Sequence, residues 1–142
     1  MNRDDLLGTW DLQRFWFTGD DGAEMDPLGT APVGNLILGA DGNYAFTMMR
    51  IGRSAYASGD LLGGTPDEKG EAADGYVSFG GAWASDGDAI TFGITYSLFP
   101  NWVGGEQVRL ASMIGAELQL QTTGPILLAG KMHRGAARWR KL

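Results

Sequence analysis

Tyr76-Val77-Ser78-Phe79-Gly80-Gly81-Ala82-Trp83-Ala84, then Ser85-Asp86-Gly87-Asp88, then Ala89-Ile90-Thr91-Phe92-Gly93-Ile94-Thr95-Tyr96-Ser97-Leu98, is the stretch on which the fold turns. Asp-Gly between two apolar runs is the strongest short-range signal for a β-hairpin, because its backbone takes up the twist that paired strands need. In the second run Ile90, Phe92, Ile94 and Tyr96 fall on one face, and Thr91, Gly93, Thr95 and Ser97 on the other. That period of two marks a strand with one face buried.

Working outward, the same pattern recurs. Gly8 to Phe17 is rich in aromatic residues and ends in a turn at Thr18-Gly19-Asp20-Asp21-Gly22. Val33 to Leu38 meets Tyr44 to Arg50 through Ala40-Asp41-Gly42-Asn43, a second Asp-Gly hairpin. Val108–Met113 and Glu117–Thr123 fold back around Gly115, with Leu118 and Leu120 opposed to Gln119 and Gln121. Arg134 to Leu142 reads as a closing strand. The strand at 44–50 leaves its inner face open, since Tyr44, Phe46 and Met48 oppose Ala45, Thr47 and Met49.

One helix interrupts the series. Thr65-Pro66-Asp67-Glu68 offers an N-cap, a proline at the first helical position and a glutamate able to complete a capping box. A helix over 66–74, stopped by Gly75, follows, and its lack of large apolar residues suits a lid or plug. With so little helix, the apolar strand faces must cover one another, in a sandwich or a closed barrel. About eight strands is the size at which a barrel leaves room for one small ligand. The expectation is an all-β, eight-stranded antiparallel barrel with one short helix, formed by residues 1–142 as one domain.

Composition narrows the function classes. Glycine is abundant, 23 of 142 residues, and scattered without period, as tight turns and bent strands require. There is no cysteine, hence no disulfide, thiolate metal site or cysteine nucleophile. The single histidine, His133, excludes multi-histidine metal sites. No two glycines are separated by one residue, so G-x-G-x-x-G cannot occur. Gly124 to Lys131 has one residue too many for a P-loop and continues into Met132. G-x-S-x-G is missing as well. No cofactor and no metal is therefore expected.

The net charge is −6, divided between a basic 131–142 segment and an acidic remainder. The acidic body argues against nucleic acid, and the basic segment is expected to pair with the first strand, the first segment of the chain carrying Asp4, Asp5 and Asp11. No apolar run reaches the ~18 residues of a membrane helix. With no signal-peptide pattern at the start, the expected location is the cytoplasm, as a monomer or homodimer.

At Gly8-Thr9-Trp10 the chain resembles the bacterial and fungal lipocalin-like domain family, within the wider calycin group. Three further runs carry the resemblance in order: Asp26-Pro27-Leu28-Gly29 to Pro32-Val33-Gly34; Ala57-Ser58-Gly59-Asp60 before Thr65-Pro66-Asp67-Glu68; and Ser97-Leu98-Phe99-Pro100-Asn101-Trp102-Val103-Gly104 with Gln107-Val108-Arg109. The resemblance implies an up-and-down barrel with an internal pocket. It also implies that Trp10 plugs one end beneath an arginine from near the C-terminus. It does not imply one activity. Phe92-Gly93 stands where members of the family often carry histidine, which makes the pocket more apolar.

The expected function is to bind a small, largely apolar molecule in the barrel. The alternative is a cofactor-free, metal-free isomerase, cyclase or lyase acting on a hydrophobic polyketide or aromatic intermediate. A barrel filled by its own side chains is the third reading. Candidate ligand-binding residues are Arg14, Trp16, Tyr44, Met48, Tyr56, Phe92, Ile94, Tyr96 and Trp102. Tyr96 and Arg14 are the catalytic candidates if the chain is an enzyme. If Trp10 points inward, strict alternation carries Leu12, Arg14 and Trp16 inward too, and an inward arginine asks for a carboxylate or enolate partner. A bulge would instead turn Arg14 out and bury Phe15 and Phe17.

Overall fold

In a computed structural model that describes residues 1–142, eight long strands form a closed antiparallel barrel. In chain order the elements are α1 (Arg3–Leu6), β1 (Gly8–Gly19), β2 (Glu24–Met25), β3 (Val33–Leu38), β4 (Asn43–Met49) and α2 (Pro66–Asp74). There follow β5 (Tyr76–Asp86), β6 (Ala89–Gly93), β7 (Tyr96–Ser97), a 3-10 turn (Pro100–Trp102), β8 (Glu106–Ile114), β9 (Glu117–Thr122), β10 (Ile126–Leu128) and β11 (Lys131–Lys141). The long strands β1, β3, β4, β5, β6, β8, β9 and β11 each pair with the next, and β11 pairs back onto β1. Short β2, β7 and β10 lie beside β1, β5 and β11. No helix is long and apolar enough to cross a membrane.

The two ends of the barrel differ because the connections differ. Tight turns at Asp41-Gly42, Gly87-Asp88 and Gly115-Ala116 join strands at one end, while all the long loops gather at the other. Gly87 takes φ +60°, the left-handed conformation that makes an Asp-Gly hairpin cheap. The tight end is solid. There the short α1 buries Leu6, whose carbonyl accepts the Trp10 indole N–H at 2.9 Å. The cation over the Trp10 ring is Lys141, at 5.3 Å, in place of the expected arginine. The helix expected as a lid or plug, α2, has the predicted span and a complete Thr65–Glu68 capping box, yet buries none of its residues. The plug is α1 instead.

Tyr44, Phe46 and Met48 of β4 face inward, resolving the ambiguity of that strand. Phe46 stacks on Phe79 at 4.5 Å and meets Trp139 edge-on at 5.1 Å and Phe92 at 5.9 Å. This aromatic cluster fills the middle of the barrel.

Two one-residue irregularities change which side chains face in. In β1, Leu12 lies opposite Trp139 but Arg14 lies opposite Arg138, so Gln13 is an extra residue. Trp10 and Leu12 point in before this bulge, and Phe15 and Phe17 after it. The second lies after Gly93, where the predicted strand 89–98 breaks. Phe92 pairs with Trp83, but Tyr96 pairs with Gly80, so four steps on one strand match three on the other. A slip of one residue sends every later side chain to the opposite face.

Candidate functional site

Above the aromatic cluster, at the end with the long loops, the barrel holds a cavity of about 460 Å³. Nineteen residues line it, and fourteen of them are hydrophobic. Phe15 and Phe17 of β1, Met48 of β4, Leu120 of β9 and Ala137 of β11 form the wall, with Phe46 below. Leu28, Phe99, Trp102 and the short β10 stand nearer the loops. The small residues of β11 make the room. A Cβ on Gly135 would run into the Phe17 ring, so glycine there lets that ring lie against the wall.

Arg109 is the one cation on this wall. Its Nη1 donates to Gln107 Oε1 at 3.0 Å and to the Val108 carbonyl at 3.2 Å, both neutral groups. None of the ion pairs in the molecule includes it, and its Nε and Nη2 donate to no protein atom. Some surface remains accessible because the residue faces the cavity, but burial of the guanidinium brings its pKa down to about 10. Thr122 lies opposite Arg109 on β9, and its hydroxyl accepts the Gly135 N–H at 3.1 Å. Asp74, exposed at the end of α2, is the remaining ionisable group of the lining.

Of the residues proposed from sequence, Met48 and Trp102 line this cavity. Trp102 packs edge-on against Phe79 at 5.3 Å. Tyr44, Phe92 and Ile94 are buried in the packed core and do not line the cavity. The Tyr44 hydroxyl donates to the Gly93 carbonyl at 2.9 Å, and burial pushes its pKa up, so it stays a donor. It serves the packing of the floor.

Four candidates sit elsewhere, and each is a correction. The bulge at Gln13 turns Arg14 outward, where it pairs with Asp26 at 3.1 Å and Glu24 at 3.3 Å. The same bulge puts Trp16 on the outer wall, with the guanidinium of Arg14 4.4 Å and that of Arg138 5.5 Å from its ring. The slip after Gly93 places Tyr96 on the outer face over Gly80, 54% exposed. Tyr56 packs over Gly64 in the loop after β4. Arg14 and Tyr96, the two groups assigned to chemistry, therefore do not converge. Replacing Arg14 by alanine and Tyr96 by phenylalanine should leave ligand affinity within about twofold, measured by tryptophan fluorescence, since surface changes seldom exceed ~0.5 kcal/mol.

Arg109 escaped notice because its strand reads the wrong way round. Val108 and Leu110 are the apolar residues of that stretch, yet Leu110 is 42% exposed and Ala111 is buried. The signal lay in the hairpin instead. Ile114 pairs with Glu117 across Gly115-Ala116, and counting back from that turn sets Ala111 against Leu120 and Arg109 against Thr122. Leu120 faces in, so Arg109 must.

Residues 7–142 match the lipocalin-like domain family. The chain is 30% identical over 103 residues to the 4'-hydroxy-3'-methoxypropiophenone carrier protein ppsC of Aspergillus oryzae, covering 67% of this chain and 93% of that protein. Among solved structures it is similar to a lipocalin-like protein from Bacteroides uniformis, with 15% identity, a TM-score of 0.47, and coverage of 97% of this chain and 99% of the other. With a closed eight-stranded barrel and a family match over nearly its full length, the chain belongs to the lipocalin-like domain family.

Proposed function

We propose that this protein holds a small, largely apolar molecule in the barrel cavity, oriented by an acceptor group placed against Arg109. The observation that carries the reading is a 460 Å³ space with a mostly hydrophobic wall and one guanidinium that has donors to spare. That volume falls within the ~300–1,000 Å³ range of small-molecule sites, and an apolar wall with a few fixed polar groups is their usual make-up. Burying apolar ligand surface at ~25 cal/mol per Å² supplies the affinity, and the guanidinium supplies the orientation. The name of the Aspergillus relative adds support, since it specifies a carrier and, as its cargo, an aryl ketone whose ring bears a hydroxyl and a methoxy group.

The reading is one of holding rather than converting, because both groups proposed for catalysis point away from the cavity. The test is calorimetric titration with 4'-hydroxy-3'-methoxypropiophenone and with the neutral fluorophore N-phenyl-1-naphthylamine. Micromolar binding is expected for at least one of them, lost when the space is filled by Ala137→Phe or narrowed by Leu128→Trp. Circular dichroism would establish that each variant is folded. Binding that survives both substitutions would place the ligand outside the barrel and end the proposal.

A further inference from the structure

We infer that the ligand of this cavity is a weak acid, bound as its conjugate base against the guanidinium of Arg109. The inference rests on the reading that the cavity holds a small molecule, and it names the chemical class of that molecule.

The other arginines lie outside this wall, some paired with carboxylates and others with neutral acceptors, as half-buried Arg138 is with Gln119. Arg14 has Asp26 and Glu24, Arg140 has Glu117, and Arg50 donates to the Pro27 carbonyl from a half-buried position. Arg109 alone is set in an apolar wall with only neutral acceptors, one amide and one carbonyl, both on a single nitrogen. A cation removed from water without an opposite charge costs several kcal/mol. A neutral carbonyl on the ligand would satisfy a donor but leave the charge uncompensated. An oxyanion satisfies both.

The groups around it fit that role. On its own strand Gln107 holds Nη1, which leaves Nε and Nη2 as an adjacent pair of donors. Across on β9, the Thr122 hydroxyl uses its oxygen for the Gly135 N–H, so its proton remains available. On β6 the neighbour is Ile90, which is apolar and fully buried. On β4 the Tyr44 phenol, whose charge would couple to Arg109, is committed as a donor to Gly93. The only carboxylate of the lining, Asp74, is exposed at the end of α2 and hydrogen-bonds to nothing in the wall. No anion of the protein reaches the guanidinium, so the ligand must bring one. Burial that depresses the arginine's pKa in the empty cavity would be offset on its arrival.

The step is a simple proton transfer to solvent. The acidic O–H bond of a phenol, a carboxylic acid or the enol of a dicarbonyl breaks, its proton goes to buffer, and the oxygen takes the two guanidinium donors. The test compares 4'-hydroxy-3'-methoxypropiophenone with its O-methyl ether, 3',4'-dimethoxypropiophenone, which has the same ring and ketone but no acidic proton. Near the pKa of the free phenol, the phenol should bind about 10- to 100-fold more tightly than the ether, as charge-assisted hydrogen bonds warrant. The absorbance of the bound phenol should show phenolate at least one pH unit below where it forms in water. Calorimetry in buffers of different ionisation enthalpy should then count about half a proton released per ligand at that pH, because half of the free phenol is already ionised there. Arg109→Met should abolish both the preference and the shift while N-phenyl-1-naphthylamine still binds, and Arg109→Lys should restore part of each. If phenol and ether bind alike, or the bound phenol ionises no more easily than the free one, the inference falls and the holding function stands. If neither compound nor the neutral fluorophore binds, both fall.

Discussion

Replacing Arg109 by methionine will make the empty protein more stable and a worse binder. The two effects share one cause. The guanidinium stands in an apolar wall without a counter-ion, and its pKa of about 10 records how poorly the folded state accommodates its charge. A group whose folded pKa is depressed below its ordinary value binds its proton more weakly folded than unfolded. At neutral pH the charged arginine therefore costs stability, and the cost lessens only as pH rises through about 10 and beyond. Methionine keeps most of the length, adapts to the cavity and carries no charge. Replacing even a paired buried charge by apolar groups is often neutral or stabilising by ~1–4 kcal/mol, and an unpaired one has less to lose. We expect a gain of about 1–3 kcal/mol by urea denaturation at pH 7, or roughly 3–10 °C in Tm. A stability equal to or below that of the parent at pH 7 would mean that the guanidinium is already compensated.

Removing Phe46 should have the opposite effect, and a larger one. Its ring is 4% exposed, stacks on Phe79, meets Phe92 and Trp139 edge-on, and forms the floor of the cavity. Phe→Ala in a packed core typically costs ~3–5 kcal/mol, the sum of lost transfer energy and the void left behind. Here the void opens into the space above, so an apolar ligand can refill it. Phe46→Ala should lower Tm by about 10 °C or more, and N-phenyl-1-naphthylamine should recover a greater share of that loss than it adds to the parent protein. Equal ligand-induced shifts in both proteins would show that Phe46 does not separate the cavity from the core.

The parts of this molecule that local chemistry determines could be read from the chain. Asp41-Gly42 and Asp86-Gly87 fixed two hairpins, Thr65 to Glu68 fixed α2, and Leu118 and Leu120 gave the inner face of β9. Phe15 and Phe17 were read as inward on one of two alternatives, and the structure takes that one. What alternation could not locate was an extra residue. Gln13 looks like any other polar residue of an amphipathic strand, and Gly93 like any small one. Each inserts a single step, and that step carried Arg14, Trp16 and Tyr96 to the outside. Arg109 was hidden for another reason. Its strand places arginine inside and leucine outside, contrary to the hydrophobic pattern, and only the pairing from the Gly115 turn reveals it. A position that breaks the local rule and costs stability is where function is to be sought.

The unequal ends of the barrel bear on how the molecule can change. The tight hairpins, α1 and the aromatic cluster form a foundation on which Leu28 and Trp102 of the long loops rest. Whatever enters must also leave past Phe99, Trp102 and Leu127, so the same rim governs both capture and residence time. Selectivity can thus be rewritten at the rim and upper wall while the base, with its full complement of packing, goes on folding the chain.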